Sequence, residues 1–256
     1  MESNTVKWVL VDNSQGATTQ DGSTLSTAVL ELIAEAVTAQ INNEFAEVWG
    51  GAAEMRVAAG PNDIRPDEWA YVFLASLPDA PGASAYHDIN GKGVPFALCA
   101  VPTCHSLYGP NGISVDVSHE CLETAGDRYA NQYDFDDQRT LHAHEMCDAV
   151  EVQTYGKTCA NGAVVQVSNW LLRSWFDPRG VGPYDYMSAT GKPGAVAPGG
   201  PLQTAKGRNG NYQLVSPWGG ASQKFAVLDT GTRRKGRVPH WSSRAGRRLE
   251  QLQKNS

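Results

Sequence analysis

The sequence predicts an α+β fold. A mixed sheet carries a long N-terminal helix and a second helix at residues 113–126, and a loop- and β-rich half follows from residue 127. Three observations predict it. Short apolar runs recur through the first hundred residues. Apolar positions at spacings of three and four run from Val29 to Phe45. The stretch 178–211 is crowded with Gly and Pro.

Val6–Val11 (VKWVLV) is a short apolar run closed by Asp12-Asn13, and it reads as a strand and its turn. Ser14–Gly22 is polar and reads as loop. A helix is expected from Ser23: Val29, Leu30, Ile33, Val37, Ile41 and Phe45 fall on one face, and Gly50-Gly51 ends it. Ala53–Ala58 reads as a second strand and Pro61-Asn62 as a turn. Trp69–Leu77 is almost wholly apolar, the pattern of a central strand covered on both faces. Tyr86-His87-Asp88 leads through Asn90-Gly91 into Pro95–Val101 as a hairpin-like pair. Ile113–Ala125 reads as the second helix, with Gly126 near its end. Ala149–Val152 and Ala163–Val167 read as short strands around a turn at Tyr155-Gly156-Lys157. Asn169–Phe176 reads as a short apolar helix or extended segment, and Tyr212–Val215 and Phe225–Leu228 as late strands.

Hydrophobic residues make up 41% of 256, which excludes a wholly disordered chain. The longest apolar runs fall far short of the roughly 18 residues of a membrane span. Met1-Glu2-Ser3-Asn4 shows neither a basic nor an apolar leader, so no secretory signal is expected. The net charge of −6 is an average of unlike parts. Residues 231–256 hold eight Lys and Arg against Glu250 alone, a net +7, and leave −13 on residues 1–230. Residues 1–230 are therefore read as the folded domain and 231–256 as a basic tail. The tail's Arg233, Arg234, Lys235, Arg237, Arg244, Arg247 and Arg248 are candidates for docking on an acidic surface or on nucleic acid. The five cysteines (99, 104, 121, 147 and 159) form no CxxC and read as reduced, buried thiols.

The chemistry is concentrated in Ser118-His119-Glu120-Cys121-Leu122-Glu123. On a helix, residues i and i+4 lie about 6 Å apart on one face, so His119 and Glu123 can grip one metal ion. This HExxE is one substitution from the HExxH of zinc peptidases, and Zn²⁺ accepts both imidazole nitrogen and carboxylate oxygen. The exchanged carboxylate adds negative charge at the ion, which suits slower hydrolysis or another divalent metal. Glu120 beside the ion is the candidate general base. Three carboxylates are candidates for a third ligand: Glu145 and Asp148 in His144-Glu145-Met146-Cys147-Asp148, and Asp127 at the helix end. His142 and His144 are weaker candidates. His87 and His105 read as loop or core histidines.

The ordered set Tyr86-His87-Asp88, Ser118-His119-Glu120-x-x-Glu123-x-x-x-Asp127, Glu145-x-Cys147-Asp148, Val167-Ser168-Asn169 and Trp175-Phe176 resembles a family of uncharacterised proteins of bacteriophage and bacterial genomes that look like zincin metallopeptidases. The resemblance runs from about Val6 to about Pro217. Two positions depart from it: Arg128 stands where the family usually has Pro, and Gly126 where it has a larger apolar residue. The resemblance implies a zincin-like fold, with His119 and Glu123 as metal ligands, Glu120 as base, and Glu145 and Asp148 as the downstream acidic motif. In such folds the last, edge strand before the metal helix lines the cleft and pairs with substrate, which places Pro95–Val101 there. The implied function is a metal-dependent hydrolase, a peptidase acting on a peptide or protein substrate, assisted by Tyr129, Tyr155 or His144. The alternative is a capsid- or tail-associated phage protein on an inactive scaffold, its tail reaching virion subunits or packaged nucleic acid. The implied location is the virion or the bacterial host cytoplasm, with no membrane partner.

Overall fold

Val6, Trp8, Val9, Leu10 and Val11 are all buried, so the first strand is covered on both faces, as the centre of a parallel sheet requires. The computed structural model describes residues 5–78, 80, 83–129, 132–135, 140–195, 197 and 215–217. The chain divides into two compact units, Met1–Ala125 with Thr154–Ser168, and Gly126–Gln153 with Asn169–Ser256.

The first unit is built on a five-stranded mixed sheet. Strand β1 (Thr5–Asn13) pairs in parallel with β2 (Ala52–Val57) on one side and β3 (Trp69–Leu74) on the other. Strand β4 (Ala85–Ile89) turns back antiparallel on β5 (Pro95–Ala100), and β5 pairs in parallel with β3. The order is β2-β1-β3-β5-β4. This corrects the expected edge: β4 forms it, and the 95–101 segment lies inside the sheet between β3 and β4. On β3, Tyr71 and Phe73 are fully buried while Ala70, Val72 and Leu74 are half-buried, so this strand is not equally covered on both faces.

The helical stretch begins at Thr27 rather than Ser23. Ser26 caps helix α1 (Thr27–Gln40) by accepting the Val29 amide, while Ser23 is held in a turn by Thr19 and Asp21. A π-helical turn (Ile41–Phe45) and the single turn α2 (Ala46–Trp49) follow. Gly50 stops them at φ +80°, a conformation that disfavours any other residue. Asn42 in the π turn clamps the start of β2, accepting from the Ala53 amide at 2.8 Å and donating to its carbonyl at 3.0 Å. Helix α3 (Ile113–Gly126) is buried along almost its whole length.

The hairpin β6 (Tyr133–Phe135) and β7 (Thr140–Ala143) belongs to the second unit. The hairpin β8 (Thr154–Thr158) and β9 (Val164–Ser168) belongs to the first. Tyr155-Gly156-Lys157 is therefore strand, not turn. Gly156 sits there because an added Cβ would come within 2.7 Å of Val164 Cγ1 on the facing strand. Ala149–Val152 is not a strand either: a one-turn 3₁₀ helix covers Asp148–Val150. In the second unit, β10 (Val215–Pro217) pairs antiparallel with β7, and the single turn α4 (Arg173–Phe176) is the only helical part of the 169–176 segment. Asp185 organises this unit's loops: its buried carboxylate accepts from Asn169 Nδ2 and from the amides of Met187, Ala189 and Thr190. The expected strand at 225–228 and the tail residues Arg233, Arg234, Lys235, Arg237, Arg244, Arg247 and Arg248 lie outside the described residues. Among the described residues, no helix is long and apolar enough to cross a membrane.

A charged clamp ties β2 to the loop before β3. Arg56 donates to both oxygens of buried Glu68 (2.6 and 2.7 Å) and to Asp63 (2.8 Å). These bonds hold the Glu68 carboxyl below its usual range despite burial. A depressed folded-state pKa contributes stability that is present above the unfolded value and lost as pH falls through the folded one. Arg56→Met removes both short guanidinium bonds from buried Glu68 and leaves it the Arg65 amide at 2.8 Å. It should lower unfolding stability by about 2 kcal/mol at pH 7. In urea melts, the gap to wild type should shrink as pH drops below about 4.3, the ordinary carboxyl value.

Candidate metal centre

Burying His119, Glu120 and Glu123 on one helix is costly unless each charge is answered. Helix α3 does bury all three, and it is oriented by a closed ring of hydrogen bonds. Gln40, at the end of α1 and fully buried, donates from Nε2 to the Ser168 carbonyl (2.8 Å). The Ser168 amide donates to Ser118 Oγ (2.9 Å), and Ser118 Oγ donates to Gln40 Oε1 (2.7 Å). Gln40 Nε2 also donates to the Tyr155 hydroxyl, which donates to Glu44 at 2.5 Å, where Lys157 joins it. Ser118 immediately precedes His119. The ring therefore fixes the rotation of the helix at the motif.

From that rotation His119 and Glu123 come together, His119 Nε2 lying 3.4 Å from Glu123 Oε1, as their i, i+4 spacing requires. Strand β4 adds a residue that the sequence reading treats as a loop or core histidine. His87 Nδ1 lies 2.7 Å from Glu120 Oε2 and 3.5 Å from Glu123 Oε2. The two-residue period of the strand puts His87 on the same side as buried Ala85. Its register partner is Ala97, whose small side chain leaves room for an imidazole. Ligating atoms of His87, Glu120 and Glu123 all lie within 4.8 Å of one another. The motif Tyr86-His87-Asp88 carried the available signal, a histidine in a short strand.

Asp127, Tyr129, His142, His144, Glu145 and Asp148 belong to the second unit, and His105 and Tyr155 to the first. Asp127 is fully buried and accepts the Gln132 amide at 2.9 Å. Glu145 is buried, and Asp148 opens the 3₁₀ turn. His144 Nε2 lies 2.6 Å from Asp134 Oδ2, and its ring packs on Phe176. His142 stands on β7 opposite Val215. Tyr129 is half exposed, His105 is an exposed loop residue, and Tyr155 is engaged by Gln40 and Glu44. All five cysteines are buried free thiols.

The donor set suits a small divalent cation. Bonds of about 2.0–2.2 Å from an ion to nitrogen and oxygen place tetrahedral N···O edges near about 3.4 Å. His119 Nε2 lies at that separation from Glu123 Oε1 (3.4 Å), and His87 Nδ1 lies 3.5 Å from the other oxygen, Oε2. Glu120 and Glu123 also bring two negative charges into a buried place, which imidazolium groups or a bound cation must balance. The His87–Glu120 separation of 2.7 Å is instead that of a hydrogen bond. Comparison of the chain with protein-family models, curated proteins and solved structures finds no match.

Gln40→Leu keeps the side-chain volume and deletes the ring. It strands the Ser118 hydroxyl and the Ser168 carbonyl in the core. It should cost about 2–3 kcal/mol of unfolding free energy in urea titration.

Proposed function

We propose that the chain is a zincin-like, metal-dependent hydrolase that cleaves peptide bonds. The observation that carries this reading is a buried Glu123 reached from two sides, by His119 on its own helix α3 and by His87 of edge strand β4, which also meets Glu120. His119 and Glu123 would hold zinc or another divalent ion, with a further carboxylate from Glu145, Asp148 or Asp127 proposed on sequence grounds alone. A bound ion of this kind supplies Lewis acidity to water and to a scissile carbonyl.

The protein's own contribution is positional. Glu120 accepts a proton from the attacking water and returns it to the leaving amine. His87 Nδ1 lies 2.7 Å from Glu120 Oε2 and so orients the carboxylate that is to take that proton. Glu123 also lies within reach of both imidazoles, so one carboxylate steadies two rings. On this reading the strand that pairs with an extended peptide is β4, the observed edge.

A second reading is favoured by one specific observation: Glu120 lies within ligand reach together with His87 and Glu123. If Glu120 ligates, no base remains beside the ion. The protein would then be a non-catalytic component, such as a virion subunit, with segment 231–256 as its docking arm.

Metal analysis and assay on denatured casein separate the two. For the peptidase, Glu120→Gln keeps the ion and loses at least about 100-fold in turnover. His119→Ala loses ion and activity together. If wild type shows no turnover with zinc, cobalt or manganese, the peptidase reading fails. If Glu120→Gln also sheds the ion, Glu120 is a ligand.

A further inference from the structure

Ahead of His119 in the chain, a second group of ligating atoms converges. Cys99 stands on β5, Cys104 follows a 3₁₀ turn over Val101–Thr103, and Asp116 lies in the first turn of α3. Both cysteines are buried. Cys99 Sγ lies 3.6 Å from Cys104 Sγ, and Cys104 Sγ lies 3.3 Å from Asp116 Oδ2. Ligating atoms of all three residues fall within 4.8 Å of one another.

We propose that Cys99, Cys104 and Asp116 form a second metal site, selective for zinc or a similarly thiophilic divalent ion. A tetrahedral ion with bonds of about 2.3 Å to sulfur and about 2.0 Å to oxygen sets S···S edges near about 3.8 Å and S···O edges near about 3.5 Å. The observed 3.6 and 3.3 Å are each within about 0.2 Å of those edges, so an ion enters with little movement. Thiolate donors exclude magnesium and calcium, which require oxygen. The surroundings are already built. Ser84 Oγ donates to the other Asp116 oxygen at 3.3 Å, which fixes the carboxylate. Thr103 Oγ1 donates to the Ala100 carbonyl (2.7 Å) and the Cys104 amide to the Val101 carbonyl (3.2 Å), which fixes the turn between the thiols.

Without an ion both thiols hold their protons. The hydrogen bond from Cys104 pulls the Cys99 thiol down, but burial and the Asp116 and Glu120 carboxylates raise it on balance. Contact with Cys99, then burial, pushes the Cys104 thiol far up. Binding therefore exchanges two S–H bonds for two S–metal bonds and releases two protons, with no change of oxidation state. The ion would pin the first turn of α3 to β5, the strand beside β4. No part of this rests on the peptidase reading.

The test uses full-length, reduced, metal-free protein titrated with Co²⁺, whose thiolate charge-transfer absorption in the near ultraviolet reports sulfur ligation. One equivalent should develop that band and release two protons, with affinity rising as pH rises. Cys99→Ser and Cys104→Ser should abolish the band. Asp116→Asn should keep it and weaken affinity at least about tenfold. The double variant His119→Ala/Glu123→Gln should leave it intact, so loss of the peptidase site does not touch this one. No band in folded wild type overturns the proposal. So does a band that survives both cysteine substitutions, or a Cys99–Cys104 disulfide in the isolated protein, seen as a mass about two daltons lower without reductant.

Discussion

The ring formed by Gln40, Ser118 and Ser168 is the constraint on which the candidate site depends. Each member donates to one neighbour and accepts from the other, and the three come from α1, α3 and β9. Turning α3 about its axis would break the ring and leave buried donors and acceptors unpaired, a cost that apolar packing alone does not impose. With about 100° between successive helical residues, fixing Ser118 fixes an arc. His119 lies about 100° round from Ser118, Glu123 about 140° and Glu120 about 200°. The three candidate side chains therefore occupy one sector, set by a serine that is not itself a candidate.

That sector concentrates charge in the core. Two carboxylates one turn apart repel, and burial strengthens the repulsion. The molecule answers with imidazoles rather than with arginine. The contrast with Arg56 is instructive. There a permanent cation answers Glu68 with two short bonds, and the result is a clamp of fixed charge. At Glu120 and Glu123 the partners are His87 and His119, whose charge depends on pH and on any bound cation. The first arrangement serves stability. The second leaves the two carboxylates with partners whose charge is not permanent.

What was legible in the sequence followed periodicity. The spacing of three and four from Val29 marked the stretch that holds α1, and the i, i+4 relation of His119 and Glu123 could be read directly. What was not legible depended on pairing between distant segments. His87 lies 33 residues from Glu120, and only the antiparallel return of β4 on β5 brings them together. Strand order has no periodic signature, so the 95–101 segment read as the edge when β4 is the edge. Gly156 suggested a turn because glycine usually permits one, whereas here it clears space for Val164. The Ala-Val-Glu-Val stretch at 149–152 matched a strand in composition but is too short to be distinguished from a single 3₁₀ turn. Cys99 and Cys104, five positions apart, match no compact ligand motif. Their convergence appears only once the turn at 101–103 folds them onto Asp116.

The corrected edge changes how the proposed chemistry would be coupled to binding. Had the edge been the 95–101 segment, the strand receiving an extended peptide and the strand holding the proposed base would have been different elements. With β4 at the edge they are one. His87 projects from β4 onto Glu120, while the strand's outer backbone is where a sheet extends. Side chains in a strand alternate faces and its backbone hydrogen bonds lie in the sheet plane, so the two roles do not compete for the same atoms. They do share one rigid segment. Pairing along β4 would restrict its backbone motion and so narrow the positions His87 can take over Glu120. On the proposed reading, the peptide being cleaved would thus help position the base that cleaves it.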